Sequence, residues 1–456
     1  MLQIITKINL SKFRFSKLSK NLLFGISLVL GVGLSLNVSV SLGNFVDEYA
    51  SIASINSYFK TLILDAGFLG GAYSVQLTSG AISSFGFFIG WEFTKNIFMA
   101  RTFNIIVIFL IMYIFVLKTK KLYNFNQNTN SIFLSAIFII PWWHGSLYSL
   151  GEILSTIIFM ISVVIFRSNN KLSMFLFAIS IFYGKIIMIL PFTIFLIVEF
   201  ISTDNKYKFF KGGLFFLAPV IFFLTPIHYF YHAGNLYNYA IDFYDLIVSH
   251  KGSGLNSLNQ NIFEKISNSE FSEWNLLTKY RILCTPLFFL FFIFRLKAQI
   301  KSSDSNLYVH MFSSVSILYI WFWIISETKW IRYSQHFMVL VIFFTLYVLC
   351  NKNIKLNKYD ELLIFVILTP LLSTMLLFFL SIIVIIILLK DDEINNSKDN
   401  AVISILFLLT LNSTFLFYET YSSRVYEFQD GRNTILEECL ERNIGEECKF
   451  TYLGDI

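Results

Sequence analysis

Charge is scarce in this chain. Only 14% of its 456 residues are charged while 56% are hydrophobic, and the mean hydropathy is +0.66. Soluble globular domains carry about 25% charged residues. Composition therefore excludes that class and leaves a polytopic helical membrane protein. No basic stripe interleaves with exposed aromatics, which leaves nothing to argue for nucleic acid as a partner. There is no glycine-rich phosphate loop of the P-loop kind and no persuasive nucleophile, histidine and acid series, so nucleotide hydrolysis and serine-type acyl transfer have no support. No segment repeats internally, which weighs against a transporter built from inverted repeats.

Apolar sequence is abundant and comes in long runs. They lie near residues 22–43, 102–117, 131–142, 150–166, 172–184, 186–201, 212–231, 282–296, 307–326, 336–350, 361–389 and 401–418. As one helix, the run at 361–389 would measure about 43 Å. Pro370 interrupts it, so two short passes are expected. The fold class is then all-α, a transmembrane bundle of about 13 spans, with amphipathic helices in the first outside loop. Lys7, Lys12, Arg14, Lys17 and Lys20 precede the first run, which is too long for a signal-peptide core and is read as a retained helix with a cytoplasmic N-terminus. Lysine and arginine then concentrate in short inside loops at 118–130, 167–171, 202–212, 295–306 and 351–361, as the positive-inside rule requires. The long polar segments 44–100, 232–280 and 419–456 fall outside. Residues 1–418 form the membrane domain and 419–456 a short outside tail. A chain that gathers its polar mass on one face is expected to work there. The 53 phenylalanines carry little functional information, since an AT-rich genome would also favour them.

Four groups of residues stand out against this background. Asp47, Glu48 and Tyr49 follow the first run, and ionisable groups at a membrane face are either wet and incidental or kept for chemistry. An acidic pair at a helix start is also favourable for the helix dipole without any function. In the second outside loop, His144, Tyr148 and Glu152 share one face if the loop is helical, and Glu152 opens an otherwise apolar span. A helix-start acid beside an interfacial aromatic belt is the plainer reading. Lys329, Arg332, Tyr333 and His336 precede the run at 336, and spacings of three, four and seven place Lys329, Arg332 and His336 on one helical face able to hold a phosphate. Cations snorkelling to lipid headgroups are the alternative. Lys185, between two closely spaced runs, is a lesser candidate of the same kind.

The remaining pairs are weaker. His228 and His232 have a spacing that can ligate one metal ion with an acid from elsewhere, although Tyr229, Phe230 and Tyr231 make the segment read as an interface belt. No metal site is assigned, no cofactor is required, and a divalent metal stays open. Cys284 and Cys350 read as small buried residues, whereas Cys439 and Cys448 can pair if the tail faces an oxidising compartment.

The first outside segment has an informative order: Asp47-Glu48-Tyr49, a turn at Thr78-Ser79-Gly80-Ala81, an aromatic stretch at 85–91, and Ala100-Arg101 where the second span begins. In this order the chain resembles the GT-C superfamily of integral-membrane glycosyltransferases, of the dolichyl-phosphate-mannose mannosyltransferase and aminoarabinose-transferase kind. The resemblance covers the first 200 residues or so and the general layout. It implies transfer of a sugar from a polyprenyl-phosphate donor to a lipid, glycan or protein acceptor, with inversion, at the periplasmic or outer face of a bacterial inner membrane. Asp47 would be the general base, Glu48 and Glu152 would hold hydroxyls, and Arg332 with Lys329 or Arg101 would neutralise the departing phosphate. Tyr49, Ser79, Gly80, His144, Tyr148, Lys185, Tyr333 and His336 complete the expected substrate-binding set. The rival classes are a transporter or flippase, which needs polar residues in the middle of several spans, and a surface-polysaccharide polymerase or ligase, which gathers its cations in one large late outside loop.

Overall fold

The computed structural model describes residues 82, 85–122, 152–202, 206–231, 261–267, 271, 276–297, 305–326, 329, 331–351 and 354–368, with a few positions between 237 and 244. The expected spans at 22–43, 131–142 and 401–418, the continuation of the 361–389 run past Leu368, and the Cys439–Cys448 pair lie outside the described residues.

Every described element is helical. In chain order they are α1 (Phe85–Thr94), α2 (Ile97–Leu122), α3 (Glu152–Ile165), α4 (Asn170–Ala178), α5 (Ile189–Ser202), α6 (Lys206–Tyr231), α7 (Ile262–Ser267), α8 (Leu276–Leu296), α9 (Ser305–Ile320), α10 (Gln335–Cys350) and α11 (Lys358–Leu368). Two stretches among the described residues, Phe98–Thr119 and Leu307–Ile325, are long and apolar enough to cross a membrane unaided, and shorter apolar helices accompany them. Most expected runs reappear as elements. α8 differs: it begins at Leu276, before the apolar run at 282, and carries Pro286 inside it. The segment 232–280 therefore gives up its end to a helix and contains another, α7.

α3 is the axis of the bundle. All of its 14 residues are buried, as a helix apolar on every side requires. Its neighbours approach closely because the contacts are small or hydroxylic. The Ser173 and Ser180 hydroxyls of the following segment donate to the carbonyls of Ser162 and Ser155, at 2.7 and 2.8 Å. Such short cross-helix bonds hold helices together where lipid gives no hydrophobic drive. Phenylalanines fill the remaining space: Phe177 lies 5.2 Å from Phe159 and 4.6 Å from Phe195, and Phe115 of α2 lies 5.0 Å from Phe343 of α10.

α1 and α2 form a hairpin that seats Arg101. Gly86 and Gly90 lie one turn apart on α1, and a Cβ on Gly90 would stand 2.6 Å from the Met99 carbonyl oxygen and 2.7 Å from Ala100 Cα. Only glycine lets the two backbones meet this way, and Ala100 is the small partner on the other side. Arg101, next in the chain, is fully buried.

Candidate functional site

The site is assembled where α4 breaks. After Ala178 the helix widens into a π turn, Ile179–Gly184, which ends at Lys185 in an extended conformation (φ −127°, ψ 121°) before a 3₁₀ turn, Ile186–Met188. π turns inside helices often mark functional positions. Here the turn brings Gly184 against α3, where an added Cβ would come within 2.7 Å of Ser155 Cβ. That approach carries Lys185 to the start of α3, and its Nζ lies 3.5 Å from Glu152 Oε1.

Glu152 is 1% exposed. Its second oxygen, Oε2, is buried and has no hydrogen-bond partner among the described residues. One turn along α3, the Thr156 hydroxyl donates to the Glu152 carbonyl at 2.7 Å and meets His336 Nδ1 at 3.4 Å. With the hydroxyl proton committed to the carbonyl, the His336 contact calls for Nδ1–H as donor, which leaves the Nε2 lone pair for other use in the neutral imidazole. His336 is the second residue of α10 and is buried. A carboxylate, an ammonium, a hydroxyl and an imidazole from three separate segments thus meet at one end of the bundle. An ammonium beside a carboxylate can bind an anion or a sugar hydroxyl, and the imidazole can accept a proton or a hydrogen bond.

The third cluster expected from the sequence is arranged differently. Lys329 has a positive φ of 49° and lies outside any helix, Ile331–Ser334 is a 3₁₀ turn, and α10 starts only at Gln335. Lys329, Arg332 and His336 therefore do not share one α-helical face, because the left-handed residue and the tighter turn interrupt the 3.6-residue period. Lys329 is fully buried; its ammonium donates to the Ser326 carbonyl and lies 6.0 Å from the Trp323 ring centroid. It serves the end of the π turn Trp321–Ile325 that extends α9, a favourable place for a cation. Tyr333 is half-buried, 5.7 Å from Trp321. Arg332 lies in the 3₁₀ turn, and its side chain is outside the described residues. So are Asp47, Glu48, Tyr49, Ser79, Gly80, His144, Tyr148 and His232, while His228 lies in the last turns of α6. No group of three metal-ligating side chains occurs among the described residues.

Several polar residues that the sequence did not point out prove to be built in. Thr156 bridges Glu152 and His336, and its position one turn after Glu152 was the available signal. Lys265 of α7 is buried with Nζ donating 2.7 Å to the Ile324 carbonyl, while Phe271 meets Trp323 edge-on at 5.2 Å. These contacts dock part of the expected outside segment on the end of α9. Tyr319 and Phe322 there pack on Phe337, the residue after His336, each at 5.5 Å. Elsewhere in the bundle, His310 Nε2 lies 2.6 Å from Glu199 Oε1.

No family model and no curated protein matches the sequence. Solved structures do. The crystal structure of ArnT from Cupriavidus metallidurans bound to undecaprenyl phosphate superposes with a TM-score of 0.51 at 11% identity, over 92% of this chain and 79% of that one. ArnT from the same organism in the apo state gives 0.46 at 12% identity, over 86% and 76%. The chain has the GT-C fold. Its described elements are all helical, and that fold is the one of an integral membrane protein, in keeping with the composition.

Proposed function

We propose that this protein is a membrane glycosyltransferase that moves a sugar from a polyprenyl-phosphate donor to an acceptor at the outer face of a bacterial inner membrane. The observation that carries the reading is the meeting of Glu152, Lys185, Thr156 and His336 at one end of a GT-C bundle. ArnT, which shares the fold, binds undecaprenyl phosphate. A donor already linked to lipid needs no nucleotide pocket, in keeping with the absence of a phosphate loop from the sequence.

The chemistry follows from the charges. The acceptor oxygen attacks the anomeric carbon, the bond from that carbon to the phosphate oxygen breaks, and its electron pair leaves on the phosphate. The anomeric centre inverts. Asp47 takes the acceptor's proton, and its ionised form also favours the positive charge that grows on the sugar. Lys185, with Arg101 and Arg332, meets the charge that accumulates on the phosphate. Glu48 and Glu152 hold hydroxyls. Lys329 keeps a supporting place, since its ammonium already serves a backbone carbonyl.

Packing argues against a transporter. Between the bundle's two ends the described interior is a continuous apolar cluster, and the hydroxyls of Ser162, Ser173, Ser180 and Thr345 donate to backbone carbonyls instead of lining a path.

Mass spectra of surface glycolipids from cells with and without the gene, together with label transfer from a polyprenyl-phosphate-linked sugar in membranes, test the proposal. The expected result is one glycolipid lost with the gene and transfer only in membranes that hold the protein. Identical spectra and no transfer would overturn it.

A further inference from the structure

The Glu152–Lys185 pair is an odd ion pair. At 3.5 Å it is longer than the 2.7–2.9 Å or so of a charge-assisted hydrogen bond. The carboxylate's other oxygen is buried with no hydrogen-bond partner among the described residues, a state that costs free energy and calls for an explanation. The two side chains are also unequally placed: that of Lys185 is 15% exposed and that of Glu152 only 1%. The ammonium is therefore the more accessible member of the pair. Lys185 further sits at a break in the helix, between a π turn and a 3₁₀ turn, where its N–H donates to the Ser180 carbonyl at 2.9 Å and its carbonyl accepts from Met188 N–H at 3.0 Å.

We infer that Glu152 is a resting counter-ion that the donor's phosphate displaces. Resting on the transferase reading above, the inference adds an exchange: the phosphate takes Lys185, and the released carboxylate turns both oxygens to hydroxyls of the sugar. The same residue then disfavours a phosphate that arrives without a sugar, because the carboxylate must leave the ammonium with no hydroxyl to receive it. In this way the site would prefer loaded donor over the spent lipid phosphate left by each turnover.

Binding to the full-length protein in detergent tests this without any transfer reaction. The probes are sugar-free polyprenyl phosphate, its sugar-bearing form, and inorganic phosphate as competitor. Glu152→Gln removes the competing charge and should bind the sugar-free lipid about three- to tenfold more tightly, the size of one partly buried ion pair relieved. It should also lose the parent's preference for the sugar-bearing form, and inorganic phosphate should displace the lipid more readily from it than from the parent. Glu152→Asp keeps the charge on a shorter arm and should fall between the two, which preserves the test if the amide fails to fold. Weaker or equal binding of sugar-free lipid by both variants would overturn the inference and leave Glu152 a permanent partner of Lys185. A parent that binds the lipid but transfers no sugar would sink the transferase reading alone, whereas a parent that binds no polyprenyl phosphate would sink both.

Discussion

The end of the bundle that holds Glu152 and the opposite end treat their buried carboxylates in contrasting ways. At the first, the ion pair stands at 3.5 Å, the Thr156 to His336 contact at 3.4 Å, and one carboxylate oxygen is unmatched among the described residues. At the other, Glu199 and His310 close to 2.6 Å with the Phe195 ring 4.4 Å from the imidazole. There too Arg295 Nε lies 2.8 Å from Asp360 Oδ1 in ion-pair rather than hydrogen-bond geometry. Asp360 and Asn357 exchange side-chain to backbone bonds of 2.9 and 3.0 Å at the start of α11, the pattern of a capping box. Short contacts spend their charge on architecture. The longer Glu152–Lys185 contact is the one proposed to exchange partners.

Variants on each side can break or sharpen this contrast. The largest effect belongs to the tight end: His310→Ala takes the imidazole, 2.6 Å away, from the buried Glu199 carboxylate. That should lower stability by about 3 kcal/mol, the scale of a lost hydrogen bond to a buried charged group, read as a lower melting temperature in detergent; a melt like the parent's would remove the distinction between the ends. Gly184→Val comes next. Its side chain would meet Ser155, costing about 1–3 kcal/mol of overpacking, and because Lys185 follows directly, transfer should fall by more than the melt accounts for. A variant that melts lower yet transfers normally would detach the π turn from function. Arg332→Lys should lose transfer by about tenfold with an unchanged melt, since a point charge cannot reproduce the paired donors of a guanidinium. Full activity would leave Arg332 a lipid-facing cation. The smallest effect is Asn357→Ala, which removes one cap and should cost about 1 kcal/mol with transfer unaffected. A loss of transfer there would show that the tight end also serves the reaction.

Much of this organisation was legible in the sequence. Glu152, Lys185 and His336 each interrupt or border an apolar run, and the structure brings all three to one end of the bundle. How they meet was not legible, since it depends on Gly184 touching Ser155 and on a π turn that no periodicity announces. Lys329 misled for a related reason: a regular spacing of cations looks helical, and only the backbone shows the positive φ that breaks the helix. Glu199 and His310 gave no signal because each is the lone acid or histidine in a long apolar run, and the contact that makes them a pair joins positions 111 apart. The runs themselves predicted the helices well, although α6 and α8 each begin six residues before their run, at Lys206 and Leu276, in sequence too polar to mark a span.

The central claim, sugar transfer at the Glu152 end with Asp47 as base, is tested most directly by Asp47→Asn in membranes supplied with a polyprenyl-phosphate-linked sugar. The amide keeps the side chain's shape but cannot take a proton, and general base catalysis is worth about 10²- to 10⁴-fold. The account predicts that the variant inserts at the parent's level and transfers no detectable sugar, with Glu48→Gln intermediate. Equal transfer by Asp47→Asn and the parent would contradict it.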